Sequence, residues 1–224
     1  IKGWDVVNEA LNDDGTLRKS RWLAIIGEDF IEKAFEFARE ADPAAELYYN
    51  DYSLETPAKR RGAIQLVEKL RKRGLKVTGI GTQGHWDFEY PSASELEKTL
   101  TELGSLGPVM ITELDVDVLP IPKGFNGAEI TQSFTPGDAL DPYRTKLPAE
   151  IEKKFASRYG EIFAIFIKHR KLISRVTFWG VTDGDSWKNN FPVRGRTNYP
   201  LLFDRQGKTK PAFDAVLQAA KRND

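Results

Sequence analysis

The stretch Trp4-Asp5-Val6-Val7-Asn8-Glu9-Ala10-Leu11 decides how the rest of the chain is interpreted. Its apolar part, Trp4 to Val7, predicts a short buried β-strand, and this strand ends in an amide, Asn8, and a carboxylate, Glu9. In a parallel α/β barrel the carboxyl ends of the strands carry the chemistry. A strand whose last residues simply turn into solvent would read in the same way, so this stretch alone leaves both interpretations open.

A second stretch of the same kind, Val109-Met110-Ile111-Thr112-Glu113, follows about a hundred residues later and also ends in a carboxylate. Three further strands are predicted at Glu46–Tyr52, Lys76–Thr82 and Arg175–Val181. Amphipathic patterns and capping residues predict helices over Glu28–Glu40, Thr56–Gly74, Ser92–Leu103, Ala149–His169 and Lys210–Ala220.

The order is therefore strand and helix, repeated five times. Such an alternation predicts a parallel sheet with right-handed crossovers. No glycine-rich phosphate loop follows any strand, which disfavours a dinucleotide-binding sheet. We expect an α/β fold, a (β/α)8 TIM barrel of which this chain supplies about five units, from the fourth strand to the eighth helix. At roughly 30 residues per unit, about ninety residues or more of N-terminal barrel would precede Ile1.

The composition is that of an ordinary globular protein, with 40% hydrophobic and 29% charged residues. Lys plus Arg and Asp plus Glu are both 33, so a nucleic acid is not an expected partner. No membrane association is expected either, because no apolar stretch approaches the ~18 residues needed to span a bilayer. Cysteine is absent and there are two histidines, His85 and His169, so no metal site is expected. The five tryptophans fill a core by default, but a sugar-binding cleft would use them too.

Glu9 and Glu113, at two strand ends, are expected to face each other across the mouth of the barrel. Glycoside hydrolysis needs such a pair, one neutral acid to protonate the leaving oxygen and one anion to meet the developing positive charge. A separation of about 5–5.5 Å would indicate retention of configuration, and about 6.5–9.5 Å inversion. His85 and Asp115 could form a network that keeps Glu113 ionised, whereas Glu9 has fewer obvious charged neighbours than Glu113 and could keep its proton.

Several motifs together resemble glycoside hydrolase family 10, the endo-β-1,4-xylanases. They lie in the family's order over nearly the whole chain: Trp4–Ala10, Tyr49-Asn50-Asp51-Tyr52, Gly79–His85, Ile111–Asp115, Phe178–Asp183 with Ser186-Trp187, Pro200–Asp204 and Lys210-Pro211-Ala212.

The resemblance implies a role for each matching residue. Glu9 matches the acid/base, Glu113 the nucleophile, and Asn8 the residue that hydrogen-bonds the sugar 2-hydroxyl. His85 and Asp115 match the residues that support the nucleophile. The other implied contacts to the sugar are polar or aromatic: Asn50, Gln83, Trp179, Trp187 and, as a weaker candidate, Tyr52.

The implied activity is endo-acting, retaining hydrolysis of β-1,4-xylosidic bonds in xylan, without a cofactor. An uncharged polysaccharide suits aromatic faces and hydroxyl-binding groups, and it implies a secreted, cell-surface or periplasmic enzyme. Residues 1–224 would be the C-terminal part of one catalytic domain. We expect a second chain or fragment to supply the missing strands and to pair with Lys2–Val7, an otherwise exposed apolar edge. The long loop over residues 120–148 is a further place for substrate contacts.

Rival interpretations remain open. Another barrel glycosidase, such as a β-1,4-glucanase, would use the same two strand ends. A non-catalytic carbohydrate-binding barrel would have no chemical need for Glu9, Glu113, His85 and Asp115. A structural helper subunit would require its partner to carry the active site.

Overall fold

The computed structural model describes residues 1–125 and 131–221. Within them, strands and helices occur in this order: β1 (Gly3–Asn8), α1 (Arg21–Ile26), α2 (Phe30–Ala41), β2 (Glu46–Asp51), α3 (Pro57–Lys72), β3 (Gly79–Thr82), β4 (His85–Asp87), α4 (Ala93–Gly104), β5 (Val109–Asp117), α5 (Ala149–Lys168), β6 (Ile173–Phe178) and α6 (Pro211–Lys221). A 3₁₀ turn covers Trp187–Asn189.

The chain divides into two compact units. The first unit comprises Ile1–Gly84, Pro91–Leu114 and His169–Thr177. The second comprises His85–Tyr90, Asp115–Lys168 and Phe178–Asp224. The first unit holds most of the strands, and the second holds the two C-terminal helices α5 and α6.

The first unit is built on a parallel sheet. Strands β1 and β2 pair in parallel, as do β2 and β3, and β3 and β5, while β6 also pairs with β5. The register sets Asn8 opposite Asn50, and Asn50 opposite Gly81. The carboxyl ends of these strands therefore lie side by side, as the sequence predicted.

The predicted N-terminal cap is confirmed for α4 and is wrong for α3. Ser92 caps α4 as predicted, because its hydroxyl accepts a hydrogen bond from the Glu95 amide at 3.2 Å. Pro57 opens α3 at its first position. The predicted side-chain cap by Thr56 is wrong, because the Thr56 hydroxyl donates to the Ser53 carbonyl at 2.8 Å instead.

Strand β3 begins at Gly79, three residues later than the predicted Lys76. The guanidinium of Arg71 donates to the carbonyls of Val77 and Thr78, at 2.7 and 3.1 Å. These carbonyls are thus satisfied by a side chain of α3, and the predicted first residues of the strand form a connection.

Two elements were not predicted, β4 and α1. Strand β4 follows a turn at Gly84, whose φ of 85° favours glycine, and pairs in parallel with the end of β5. Helix α1 is capped by Ser20, but its apolar residues Trp22 and Ile25 are 65% and 80% exposed. A helix without a buried face has no periodicity from which it could be predicted.

The ends of the last two predicted strands also differ. Strand β5 continues past Glu113 to Asp117, and β6 ends at Phe178 rather than at Val181. The predicted loop over residues 120–148 contains no helix or strand where it is described, and its residues 126–130 lie outside the described part. The backbone amide of Phe134 in this loop donates to the Pro192 carbonyl at 3.0 Å.

Each unit buries apolar side chains. In the first, Leu47 and Ile111 of the sheet and Val67 and Leu70 of α3 are buried. In the second, α5 and α6 pack against each other, and their fully buried residues include Phe155, Tyr159, Ile162 and Ala212. No helix in the described ranges is long and apolar enough to span a membrane.

Candidate active site

Backbone hydrogen bonds between neighbouring strands align the polar strand ends of the first unit. The Glu9 amide donates to the Asn50 carbonyl at 2.9 Å, and the Gln83 amide donates to the Asp51 carbonyl at 3.0 Å. The Glu113 amide donates to the Gln83 carbonyl at 2.7 Å. The sheet itself thus brings the two predicted catalytic carboxylates and two predicted sugar-binding amides to one edge.

Asn50 links the two carboxylate-bearing strands. Its Nδ2 donates to Oδ1 of Asn8 at 2.9 Å and to Oε1 of Glu113 at 3.1 Å. Its Oδ1 accepts from the Thr112 hydroxyl at 2.7 Å, which fixes the orientation of the amide. A Cβ at Gly81 would lie 2.5 Å from that oxygen, so glycine leaves the room that Asn50 occupies.

Gln83 completes the connection on the side of Glu9. Its Nε2 donates to Oε1 of Glu9 at 2.8 Å and lies 3.4 Å from Oδ1 of Asn8. Asn50 and Gln83 are 1% and 2% exposed, so their amides are shielded from water. Because Oδ1 of Asn8 accepts from both, the Nδ2 group of Asn8 is the end that can donate to a ligand.

The backbone at Glu9 is strained. Its φ of 56° lies in the left-handed region that side-chain-bearing residues seldom adopt. Strained residues persist where the surrounding structure determines them, and they concentrate at functional sites. Here the Glu9 amide is held by the Asn50 carbonyl and its carboxylate by Gln83, so both ends of the residue are fixed.

Glu9 has one charged neighbour that was not predicted from the sequence. The guanidinium of Arg18 lies 3.6 Å from Oε2 of Glu9, with both side chains about 30% exposed (28% and 31%). The loop between Leu11 and Leu17 brings Arg18 back toward the strand end, because these two leucines form an antiparallel bridge. Sequence separation alone gave no sign of this return.

Tyr52 lies close to the same group. Its hydroxyl accepts from Arg18 at 3.0 Å, and the Lys59 ammonium lies 3.0 Å from the ring centroid. Burial raises the pKa of the Tyr52 phenol, so the hydroxyl keeps its proton at neutral pH. Tyr52 is therefore held by two cations, and its predicted contact with sugar stays a prediction.

His85 and Asp115 are brought together in the second unit. Nδ1 of His85 and Oδ1 of Asp115 are 2.9 Å apart, and the Trp187 indole donates to the other Asp115 oxygen at 2.8 Å. Lys188 lies 3.6 Å from Asp115 and 3.5 Å from Asp117. Although burial favours the neutral acid, Lys188 and His85 hold the pKa of Asp115 below its ordinary value. The support of Glu113 by this pair stays a prediction.

The two predicted tryptophans have different surroundings. Trp187 stacks on Phe191 with ring centroids 5.4 Å apart, and its ring lies 4.9 Å from that of His85. Trp179 follows β6 and is 47% exposed. No ring stacking pairs Trp179 with Trp187 in the described part of the chain, and their roles as walls of a cleft stay predictions.

Sequence reasoning missed four residues of these networks: Arg18, Lys59, Thr112 and Lys188. Thr112 could have been found, since it precedes Glu113 inside a recognised motif. Among residues 1–125 and 131–221, no group of three or more histidine, cysteine or carboxylate side chains is placed to hold a metal ion.

Comparisons with known proteins identify the family of the chain. The family model described as Glycosyl hydrolase family 10 matches residues 1–219. The chain is 48% identical over 219 residues to endo-1,4-beta-xylanase A of Xylanibacter ruminicola, covering 97% of this chain and 59% of the relative. It is 42% identical over 220 residues to the endo-1,4-beta-xylanase of Geobacillus stearothermophilus, covering 96% of this chain and 61% of the relative.

A solved GH10 endoxylanase retrieved from a sugarcane soil metagenome superposes with a TM-score of 0.93 at 49% identity. That match covers 97% of this chain and 64% of the solved one. The chain thus spans about 60% of the length of the relatives it matches. The predicted fold, part of a (β/α)8 barrel, is confirmed.

Proposed function

Because this chain belongs to glycosyl hydrolase family 10, we propose that it is the C-terminal part of a retaining endo-1,4-β-xylanase. The names of its relatives support xylan as the substrate. The observation that carries the proposal is the continuous amide connection between two carboxylates, Glu9 and Glu113, through Asn8, Asn50 and Gln83.

In the first step Glu9, as a neutral acid, gives its proton to the glycosidic oxygen while a Glu113 oxygen attacks the anomeric carbon. The bond from that carbon to the leaving oxygen breaks, and a covalent glycosyl-enzyme forms. In the second step the Glu9 carboxylate takes a proton from water. The water oxygen attacks the anomeric carbon and releases Glu113.

The side-chain amides of Asn50 and Asn8 have different roles in this mechanism. Asn50 donates to Glu113 and orients it toward the anomeric carbon. Asn8 offers its Nδ2 to the sugar 2-hydroxyl, because its oxygen is already engaged by Asn50 and Gln83. Such a contact to the 2-hydroxyl strengthens in the transition state. His85 and Asp115 support the nucleophile, and Trp179, Trp187 and Tyr52 contribute aromatic contacts to the sugar.

We also propose that a further polypeptide, or a fragment of the same protein, supplies the N-terminal strands of the barrel and pairs with β1. Within the described residues, β1 is hydrogen-bonded to β2 on one side and to no strand on the other. Beside it lies an open groove of about 470 Å³ that includes Val6, Trp22, Ile26 and Phe37. Trp22 and Phe37 are 65% and 64% exposed, and contiguous exposed apolar surface of this kind marks an interface.

Coexpression with the N-terminal units tests this association. Phe37→Asp should abolish copurification, whereas Arg39→Asp, on an exposed position of the same helix, should preserve it. Copurification of the Phe37→Asp chain at the level of the unmodified chain would contradict the proposed interface. The protein containing both parts is called the assembled protein below.

The function is tested on the assembled protein with xylan and carboxymethylcellulose. We expect faster hydrolysis of xylan, and an NMR spectrum in which the first product carries the β configuration. Equal or faster hydrolysis of the cellulose derivative would favour a β-1,4-glucanase, and first-formed α product would contradict retention. Binding of xylan without hydrolysis would indicate a carbohydrate-binding protein.

A polysaccharide substrate also leads us to propose a secreted, cell-surface or periplasmic location. Cell fractionation of the native organism with an antibody against this chain tests it. Recovery of the protein in the cytoplasm alone would contradict this location.

A further inference from the structure

Arg18 contacts two residues at the proposed active site. One terminal nitrogen lies 3.6 Å from Oε2 of Glu9, and the other donates to the Tyr52 hydroxyl at 3.0 Å. The Gln83 amide donates to Oε1, the other oxygen of the Glu9 carboxylate. Each carboxylate oxygen of Glu9 thus has a partner on a different strand or loop, which restricts rotation of the group.

The backbone of Arg18 is fixed independently of these contacts. Its amide donates to the Ala10 carbonyl at 2.8 Å, directly after Glu9. The loop that precedes it packs closely on α3, because a Cβ at Gly15 would lie 2.6 Å from the Ala58 carbonyl oxygen. The Arg18 side chain therefore starts from a defined position.

Tyr52 is fixed from beneath by a buried cation. Lys59 is 0% exposed, and its ammonium lies 2.9 Å from Oδ1 of Asp51 and 3.0 Å from the centroid of the Tyr52 ring. Asp51 also accepts from the Tyr49 hydroxyl and from the Tyr52 backbone amide, at 2.5 and 2.9 Å. A buried lysine is costly unless it is paired, so the Asp51 carboxylate keeps the Lys59 ammonium at this position against the Tyr52 ring.

We propose that Arg18, held in place by Tyr52 and Lys59, is a positioning residue that orients the Glu9 carboxyl for proton transfer. The proposal rests on the proposed role of Glu9 as acid/base. The gap of 3.6 Å is too long for a hydrogen bond, and both side chains are partly exposed to screening solvent. The contribution of Arg18 is thus the direction in which Glu9 faces, rather than a strong ion pair.

The rate of bond cleavage depends on the position of Glu9 most strongly when the leaving group needs a proton. A phenyl xylobioside needs a proton from Glu9 to break its glycosidic bond, because phenolate is a poor leaving group. A 2,4-dinitrophenyl xylobioside releases the stable 2,4-dinitrophenolate anion without that proton. A residue that orients Glu9 should therefore affect the phenyl substrate and leave the dinitrophenyl substrate nearly unchanged. A residue that only stabilises the fold should affect both equally.

The test compares kcat/KM for the two substrates in the assembled protein. For Arg18→Met we expect a loss of about tenfold on the phenyl substrate, a fraction of what general acid catalysis contributes, and little change on the dinitrophenyl one. Arg18→Lys keeps the charge and should recover part of the loss. Tyr52→Phe keeps the ring over Lys59 but loses the hydroxyl, so it should show a smaller loss in the same direction.

Arg21→Met, an exposed arginine at the start of α1, is the matched control and should leave both substrates unchanged. Equal losses of Arg18→Met on both substrates, or no loss, would overturn the proposal. Glu9→Ala separates this outcome from failure of the proposed function. If Glu9 is the acid/base, that variant loses far more on the phenyl substrate, and added azide restores its turnover of the dinitrophenyl one. If Glu9→Ala lacks this pattern, the role of Glu9 itself is wrong.

Discussion

The side-chain amide of Asn50 on β2 donates to Oε1 of Glu113 on β5, across the one intervening strand β3, at 3.1 Å. The same nitrogen donates to Asn8, next to Glu9. One buried amide is thus shared between the neighbourhoods of both proposed catalytic carboxylates, and the Thr112 hydroxyl fixes its orientation.

Replacing Asn50 by alanine should therefore impair both carboxylates. We expect kcat on xylan to fall by about 10²-fold, comparable to the loss of one preorganised donor at an active site. The Thr112 hydroxyl would lose a buried partner, so the free energy of unfolding should also fall, by about 1–3 kcal/mol. Steady-state kinetics and urea unfolding of the assembled protein measure the two effects. Unchanged kcat would show that Glu113 does not depend on Asn50.

Substitution of Gly81 should also lower stability and kcat, although glycine carries no side chain. A Cβ there would lie 2.5 Å from Oδ1 of Asn50 and 2.9 Å from Cγ2 of Thr112. We expect Gly81→Ala to destabilise the protein by about 1–3 kcal/mol through overpacking, and to lower kcat because Asn50 is displaced. Gly160→Ala in α5, where the nearest atom to an added Cβ lies 3.6 Å away, is the control and should neither destabilise the protein nor lower kcat. Equal stability and equal kcat of the two glycine variants would contradict the proposed displacement of Asn50.

Lys188 should stabilise the second unit in a pH-dependent manner. It lies between the buried carboxylates of Asp115 and Asp117, and it contributes to the lowered pKa of Asp115. A lowered carboxyl pKa adds stability above the unfolded-state value, and this stability is lost as the pH falls through the folded-state value. Lys188→Met should therefore cost about 3–5 kcal/mol at pH 7, as expected for a broken buried pair.

The difference between Lys188→Met and the unmodified protein should narrow toward pH 4, because Asp115 protonates more readily once the ammonium is gone. Urea unfolding at pH 7 and pH 4 measures it, with the exposed Lys208→Met as control. A difference that stays constant between the two pH values would mean that Lys188 acts by packing rather than by charge.

The sequence was most informative where local pattern and topology coincide. Polar residues that end apolar strands must gather at one edge if the strands are parallel, and Asn8, Asn50, Gln83 and Glu113 do so. The pairing of His85 with Asp115 followed from the same reasoning, because each comes just after a strand-ending motif.

The contacts that escaped prediction depend on chain reversal or on buried charge. Arg18 reaches Glu9 only because Leu11 and Leu17 form an antiparallel bridge, and no periodicity in the sequence predicts such a loop. Lys59 in α3 and Lys188 in the 3₁₀ turn are both buried against carboxylates. Burial of a charge is decided by tertiary packing, which local pattern does not encode.

The central claim is that Glu113 forms a covalent bond with the substrate. The most direct test treats the assembled protein with 2,4-dinitrophenyl 2-deoxy-2-fluoro-β-xylobioside, whose fluorine slows the second step so that the glycosyl-enzyme accumulates. Peptide mass spectrometry should then find one fluoroxylobiosyl group on the peptide that contains Glu113, and none on the Glu113→Gln variant. A label on the peptide that contains Glu9, or inactivation of neither protein, would contradict the assignment.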